Sequence, residues 1–376
     1  MYKLKSVKDA DVKGKIVFLR ADLDVPLFQK SKMDSRQSII ADDSRLSAWF
    51  PTLEYLVRQN AQVVIAGHLG RPEKEFPFFN FQFSGENEKY SLEPVVKWIA
   101  KKINSKPFPM KLNDFEGFRL AENVFVLENL RFYKEEEGNG EGFAKKLSSL
   151  AQVYVNDAFA SAHRAHASIT GITKYLPSYA GLRIIDEVDI LSKVLESPKR
   201  PLTVIIGGAK IETKLPLVEK MHKFADYVLV GGEIAENIKV LLKVAHEKIE
   251  GQKSALIVAD LTENSKDITQ KSAENFVQIS QSSKTIVWNG PMGYINENLK
   301  IKNEKLKIGD EGYTSYVLAQ GIINSNAHTI VGGGDTIAYL KKAKFLEKFD
   351  FASTGGGAML EFLAGEKLPG IEVLKI

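Results

Sequence analysis

Short apolar runs rich in β-branched residues recur along the chain and stop at glycine, arginine, histidine or aspartate. Thr203 to Ile206 is one of them. It is continuous rather than alternating, which predicts a parallel strand buried on both faces. Lys15 to Arg20, Gln62 to Gly67, Val124 to Leu127 and Val153 to Val155 read the same way in the first half. Asp226 to Val230, Ala255 to Val258, Lys284 to Val287, His328 to Val331 and Phe351 to Thr354 follow in the second. Between the runs, apolar residues take helical spacing. Leu46, Phe50, Leu53 and Leu56 form one such stripe, Val95, Val96 and Ile99 another behind a Ser91 cap, and Ile184, Val188, Leu191 and Leu195 a third. A helix is also predicted from Ile337. Glu73 to Lys89 reads as a loop, and Glu135 to Asn139 as a solvated acidic turn. Alternating strands and helices predict an α/β fold with parallel sheets. The helix from Ile184 either connects two such domains or closes the first.

The residues at the strand ends differ between the halves. In the first half the runs lead to Asp22 and Asp24, to His68 and Arg71, to Arg131, and to His163 with Arg164. Arg45 sits in the first turn of a predicted helix, where the dipole disfavours a cation unless an anion is near. Parallel strands bring their C-terminal ends to one rim, so these side chains predict a basic site for a small, multiply charged anion. Arginine suits that task because its fork matches carboxylate and phosphate. Taken singly, each residue also reads as a solvated charge or a turn former. In the second half the runs end in glycines: Gly207-Gly208, Gly231-Gly232, Gly290, Gly332-Gly333-Gly334 and Gly355-Gly356-Gly357. Glycine turns at helix starts expose N–H groups to phosphate, although tight βα turns alone also use glycine. Lys210 and Lys214 follow the first pair at helical spacing, and Asp335 follows the triple glycine, where it could hold Mg²⁺.

The 376 residues allow two or three domains. A net charge of +4 from 51 basic and 47 acidic residues is too balanced to argue for nucleic acid. The chain has no cysteine, which excludes disulfides, zinc thiolates and thiol nucleophiles. Met1 to Lys5 offers no apolar signal segment, and no apolar run approaches the about 18 residues of a membrane helix. A cytoplasmic protein with no membrane partner is expected. There is no P-loop around Gly14-Lys15, Ile337 breaks the dinucleotide fingerprint after Gly332, and no protein-kinase catalytic loop is present.

Nine segments stand out along the chain. They are RADLDVP at Arg20–Pro26, DDSR at Asp42–Arg45, HLGRP at His68–Pro72, ENLRF at Glu128–Phe132 and NDAFASAHRAHAS at Asn156–Ser168. GGAK at Gly207–Lys210, WNGPMG at Trp288–Gly293, GGGDT at Gly332–Thr336 and STGGG at Ser353–Gly357 complete the set. In this order the segments resemble the phosphoglycerate kinase family. The resemblance implies two Rossmann-like domains, each a parallel sheet flanked by helices, facing across a hinged cleft. Residues 1–178 would bind 3-phosphoglycerate. Residues 179–362, opening with the connector helix, would bind ATP or ADP with Mg²⁺, and 363–376 would pack back on the first domain. Matching positions assign Asp22, Asp24, Arg45, His68, Arg71, Arg131 and Arg164 to the phosphoglycerate. Lys210, Lys214, Gly231, Gly232, Asn289, Pro291, Asn296, Gly332, Gly333, Gly334, Asp335, Thr336, Gly355 and Gly356 fall to the nucleotide, with Asp335 as the metal ligand. Arg45, Lys210 and Gly333 would carry the transfer. The connector helix and Leu176 to Gly181 are the hinge candidates, and a monomer is implied.

The chain departs from the family at Asp24, where asparagine is usual, and at Thr213, where aspartate is usual. Asn296 stands near the position of an acid for the ribose hydroxyls, with Glu297 one residue on, and an isoleucine-glycine-proline turn is replaced by Ile268-Thr269-Gln270. The altered ribose end leaves open a homologue that binds the acid without using nucleotide efficiently. A nicotinamide-dependent dehydrogenase is disfavoured by the missing fingerprint.

Overall fold

A computed structural model of the chain describes residues 2–29, 38–72, 85–208, 211–244, 254–295 and 306–376. The chain divides into two compact units, Met1–Asp189 with Lys367–Ile376, and Ile190–Glu366. The first unit contains, in chain order, β1 (Ile16–Arg20), β2 (Leu27–Gln29), β3 (Ser38–Ile40), α1 (Ser44–Arg58), β4 (Gln62–Ala66), α2 (Glu93–Lys102), β5 (Phe108–Leu112), β6 (Phe115–Ala121), β7 (Val124–Leu127), α3 (Lys134–Glu137), α4 (Glu141–Ser148), β8 (Val153–Asn156) and β9 (Ser178–Ala180). The next helix, α5 (Leu182–Glu196), contains the division between the units.

The sheet of the first unit runs β5-β6-β7-β4-β1-β8-β9. β7, β4, β1, β8 and β9 are parallel, while β5 and β6 are antiparallel to their neighbours and make the sheet mixed. Neither β5 nor β6 was expected from the sequence. Alternate residues of β1 feed different cores: Val17 and Leu19 pack with Leu46, Trp49 and Leu53 of α1, whereas Phe18 packs with Phe143 and Leu147 of α4. A sheet covered on both faces needs apolar residues at every position, which explains the unbroken runs. In register, Arg20 stands opposite Ala66 of β4 and Asn156 of β8. Three strands therefore end level, and the segments that follow them share one edge.

The second unit adds β10 (Leu202–Ile206), α6 (Ile211–Met221), β11 (Tyr227–Val230), α7 (Ile234–Val244), β12 (Ala255–Val258), α8 (Gln270–Ser282), β13 (Thr285–Asn289), α9 (Tyr313–Ile323), β14 (His328–Gly332), α10 (Gly334–Lys342), β15 (Phe351–Ser353) and α11 (Gly357–Leu363). Its sheet, β12-β11-β10-β13-β14-β15, is parallel throughout. Ile205, Leu229, Ile286, Trp288 and Val331 fill one core beneath it. α10 begins three residues before the expected Ile337, so Asp335 and Thr336 lie in its first turn. After α11 the chain returns to the first unit through α12 (Pro369–Glu372). There Gly370 donates to Ala162 O over 2.8 Å, Lys5 to Leu374 O and Ile376 to Lys3 O, both over 3.0 Å. Among the described residues, no helix is long and apolar enough to cross a membrane.

Candidate active site

In the first unit the strand ends bring together most of the side chains singled out by sequence. Arg20, the last residue of β1, is fully buried. Its Nε donates to Ser168 Oγ and its Nη2 to His68 Nδ1, both over 2.9 Å. Ser168 in turn donates its N–H and hydroxyl to Glu136, which is buried in α3. Burial raises the Glu136 pKa, opposed by the Arg20 charge and by Ser168. Burial likewise lowers that of Arg20, opposed by Glu136. The expected solvated acidic turn at Glu135 to Asn139 is thus corrected: α3 is a single turn whose middle carboxylate faces inward.

His68 lies two residues past β4 and is buried. Burial, then the charges of Arg20 and Arg131, lower its pKa to about 4 against the pull of Asp24. Asp24 Oδ2 stands 3.7 Å from His68 Nε2 and 3.8 Å from Arg45 Nη1. Asp24 Oδ1 accepts the Gly70 N–H over 2.9 Å. Burial works against the Asp24 charge, but His68, the Gly70 N–H and Arg45 together hold its pKa below the usual carboxylate range. The unusual aspartate is therefore offset by a guanidinium. Arg45, in the first turn of α1, donates through Nη1 to Asp24 O over 2.8 Å and places Nε 3.8 Å from Asp22 Oδ2. Asp22 is buried, its pKa is raised by burial, and no side chain among the described residues donates a hydrogen bond to its oxygens. A buried acceptor in that state costs free energy and suits a hydroxyl donor from a ligand.

Arg131 sits in a 3₁₀ turn after β7, capped by Asn129. The Asn129 amide also donates to Leu69 O over 2.7 Å and Tyr90 O over 2.9 Å, tying the neighbouring loops to this turn. Arg131 Nη1 donates to Gly70 O over 2.5 Å. Gly70 therefore joins Asp24 on one side to Arg131 on the other. Its φ of +60° and a Tyr90 ring carbon 2.5 Å from where a Cβ would stand require glycine. Arg71, Arg131, Arg164, Glu137, Pro72 and His166 line a cavity of about 370 Å³. Burial, then Arg20 and His68, lower the His166 pKa to about 3, so its ring is neutral near pH 7. Arg164 Nε stands 3.2 Å from His163 Nε2. Glu136, Ser168 and Asn129, which orient these groups, were not singled out by sequence. Polar residues just past the end of an apolar run were the only available signal, and of these three it points to Asn129 alone, two residues beyond β7.

In the second unit the glycine turns are divided in role. Gly207 and Gly208 donate to Asn289 O and Pro291 O, and Gly231 and Gly232 to Ile206 O and Met292 O. Those N–H groups are engaged within the protein, and contact with a ligand would be through bare backbone surface. A Cβ on Gly207 would stand 2.2 Å from Pro291 O, and one on Gly232 2.5 Å from Gly208 N, so crowding between loops also demands glycine. α10 is different. Its cap, Gly333, has a φ of +94°, and its first helical bond runs from Ile337 N to Gly333 O. The N–H groups of Gly334, Asp335 and Thr336 precede that bond and have no acceptor within the helix. Such a helix start can seat an anion. Asn289 Nδ2 donates to Gly356 O over 3.0 Å, and Thr336 Oγ1 accepts from Gly290 N over 2.9 Å. Both side chains brace the β13, β14 and β15 turns against one another. Gly355 N donates to Ser353 Oγ over 3.1 Å, and Gly332 closes β14.

Asp335 is exposed beside the α10 seat. Among the described residues no group of acidic or histidine side chains could hold a metal ion by itself. One carboxylate beside a helix start able to take phosphate nonetheless fits Mg²⁺, which is commonly held by one or two carboxylates plus substrate phosphates. Lys210 and Asn296 lie outside the described residues, as do the side chains of Lys214 and Thr213. A second cavity, about 560 Å³, is bounded by Lys266, Asp267, Ile268, Gln270, Tyr294 and Thr314 among others. Asp267 is occupied structurally there, accepting from Ile268 N and the Thr314 hydroxyl.

A family model described as phosphoglycerate kinase matches residues 7–264 and 239–366. The phosphoglycerate kinase of Dictyoglomus turgidum is 36% identical over 417 residues, covering 98% of each chain. The cytosolic phosphoglycerate kinase 3 of Arabidopsis thaliana is 36% identical, over 98% of this chain and 97% of its own. Among solved structures, phosphoglycerate kinase from Coxiella burnetii superposes with a TM-score of 0.75 at 30% identity, covering 99% of this chain and 98% of that one. The enzyme from Pyrococcus horikoshii gives 0.76 at 27%, covering 100% and 98%.

Proposed function

The chain belongs to the phosphoglycerate kinase family, and from that premise we propose how its residues transfer a phosphoryl group between ATP and 3-phosphoglycerate. The chain is a phosphotransferase, as its relatives are named. The acid is assigned to the first unit and the nucleotide phosphates to the second. The observation that carries this is the cavity bounded by Arg71, Arg131 and Arg164, since three guanidiniums around one space suit a ligand with two acidic groups. Asp22 then accepts the substrate hydroxyl.

The nucleophile is the substrate's own carboxylate, already ionised near pH 7, so no general base is needed. This agrees with a His68 whose pKa of about 4 leaves it neutral but weakly basic. The carboxylate oxygen attacks the γ-phosphorus, the bond to the β-phosphate oxygen breaks, and ADP leaves with the acyl phosphate as the other product. The protein's task is alignment and charge stabilisation. Arg45 and Lys210 are the charges assigned to the transferring group, with Gly333 and the α10 N-terminus on the nucleotide phosphates. Bound Mg²⁺ would neutralise phosphate charge, and Asp335 is the residue that would hold it. In-line transfer requires the two ligands to meet, so closure about α5 and Leu176 to Gly181 is part of the proposal. A cytoplasmic location is proposed by analogy with the cytosolic Arabidopsis relative. A coupled assay of ADP formation with Mg-ATP and 3-phosphoglycerate tests the function: turnover is expected, and its absence with folded protein would refute it.

A further inference from the structure

We infer that Glu137 is a built-in competitor for the acid-binding edge of Arg131, and so helps set both affinity and charge selectivity at that site. The inference rests on the proposed binding of the acid beside Arg131. The Arg131 side chain is only 3% exposed, and its Nη1 is committed to Gly70 O. The edge formed by Nε and Nη2 is thereby left for other partners, and Arg131 lines the cavity with Glu137 beside it. Neither Nε nor Nη2 makes a hydrogen bond among the described residues. Nε is held only by an ion pair, with Glu137 Oε1 at 2.8 Å but not aligned as a hydrogen bond.

The two partners are unequally held. Arg131 is fixed by burial and by the Gly70 carbonyl, whereas the Glu137 side chain is 56% exposed. Glu137 is the last residue of the one-turn α3, just before Gly138 and an Asn139 with a φ of 52°. The adjacent Glu136 is anchored inward on Ser168, so Glu137 can leave the cavity without disturbing α3. Among the described residues that line the cavity it is also the one acid, opposite three arginines. Without a ligand it compensates a guanidinium that would otherwise be buried with its charge unmatched. A doubly anionic ligand displaces it by binding the same edge with both donors. A neutral or weakly charged ligand gains too little from that edge to do so.

The test is calorimetric titration of the full chain with 3-phosphoglycerate, in the wild type, Glu137→Gln, Arg131→Ala and the double variant. Removing an ion pair with one exposed partner should tighten binding by about fivefold in Glu137→Gln. In the Arg131→Ala background the same substitution should change Kd by no more than about twofold. Unchanged or weaker binding in Glu137→Gln would overturn the inference, because Glu137 would then only orient Arg131. Equal tightening in both backgrounds would overturn it too, because the effect would be general charge repulsion. A wild type that fails to bind 3-phosphoglycerate would remove the proposed function, and this inference with it.

Discussion

Arg20 and His68 share a buried hydrogen bond, guanidinium Nη2 to imidazole Nδ1 over 2.9 Å. A guanidinium only donates, so Nδ1 carries the lone pair. The neutral ring then keeps its proton on Nε2, the nitrogen 3.7 Å from Asp24 Oδ2. One contact thus fixes the tautomer, aims the remaining N–H at the Asp24 carboxylate, and places a permanent cation against the ring.

The first prediction concerns that ring. With its pKa lowered to about 4 by burial and then by Arg20 and Arg131, His68 should be neutral at about pH 6, where an ordinary histidine is largely charged. Because the folded value is depressed, the unfolded chain binds the proton more readily. The His68 contribution to stability is therefore present above about pH 6.5 and is lost as pH falls through about 4. NMR titration of the imidazole resonances checks the charge state. Urea midpoints of the wild type and His68→Gln across that window check the sign, the wild type losing more on acidification.

Gly70→Ala should damage both stability and substrate binding. The added Cβ meets the Tyr90 ring at 2.5 Å on a backbone with φ +60°. A left-handed alanine and the crowding together cost on the order of 1–3 kcal/mol. Since Gly70 links Asp24 to Arg131, calorimetry should also show weaker 3-phosphoglycerate binding. Chemical denaturation with an unchanged midpoint would contradict the geometry.

Glu136→Gln leaves the Arg20 guanidinium buried without its nearby carboxylate. Breaking a buried pair from one side costs about 3–5 kcal/mol. The Ser168 bridge between the two softens this toward the lower figure. A Tm drop of several degrees is expected, and a Tm equal to wild type would show that the charge on Glu136 is immaterial.

These residues also mark how far the sequence could be read. His68 and Arg131 were legible because strand periodicity fixes where each apolar run stops, and parallel pairing brings those ends level. Arg45 was legible from its place in the first turn of a helix, whereas Arg20 read only as the end of its strand. Glu136 was not legible. An EEE run looks solvated, and its partner Ser168 lies 32 positions away. β5 was hidden because Pro109 inside a five-residue run argues against a strand, and proline is tolerated there only because β5 lies at the sheet edge. α10 was predicted too short because Gly334, Asp335 and Thr336 carry no helical stripe, and its start depends on the Gly333 dihedral. The engagement of the Gly207, Gly208, Gly231 and Gly232 N–H groups by neighbouring loops depends on contacts between strands and has no local sequence signal.

Asp335→Ala tests the metal assignment. With the exposed carboxylate at the start of α10 removed, the Mg²⁺ concentration giving half-maximal rate should rise by at least the about tenfold that loss of a supporting residue costs a metal site. The 3-phosphoglycerate Kd should stay as in the wild type. An unchanged Mg²⁺ requirement would move the metal elsewhere.

The division of labour between the units is tested most directly by steady-state kinetics of Lys210→Ala and Arg131→Ala side by side. If Lys210 meets the transferring group, its loss should lower kcat by about 10²–10³, the usual effect of removing one charge-stabilising donor. Arg131→Ala should instead raise the 3-phosphoglycerate KM and leave most of kcat. If both variants changed the same parameter to the same extent, the assignment of acid and phosphoryl chemistry to separate units would be contradicted.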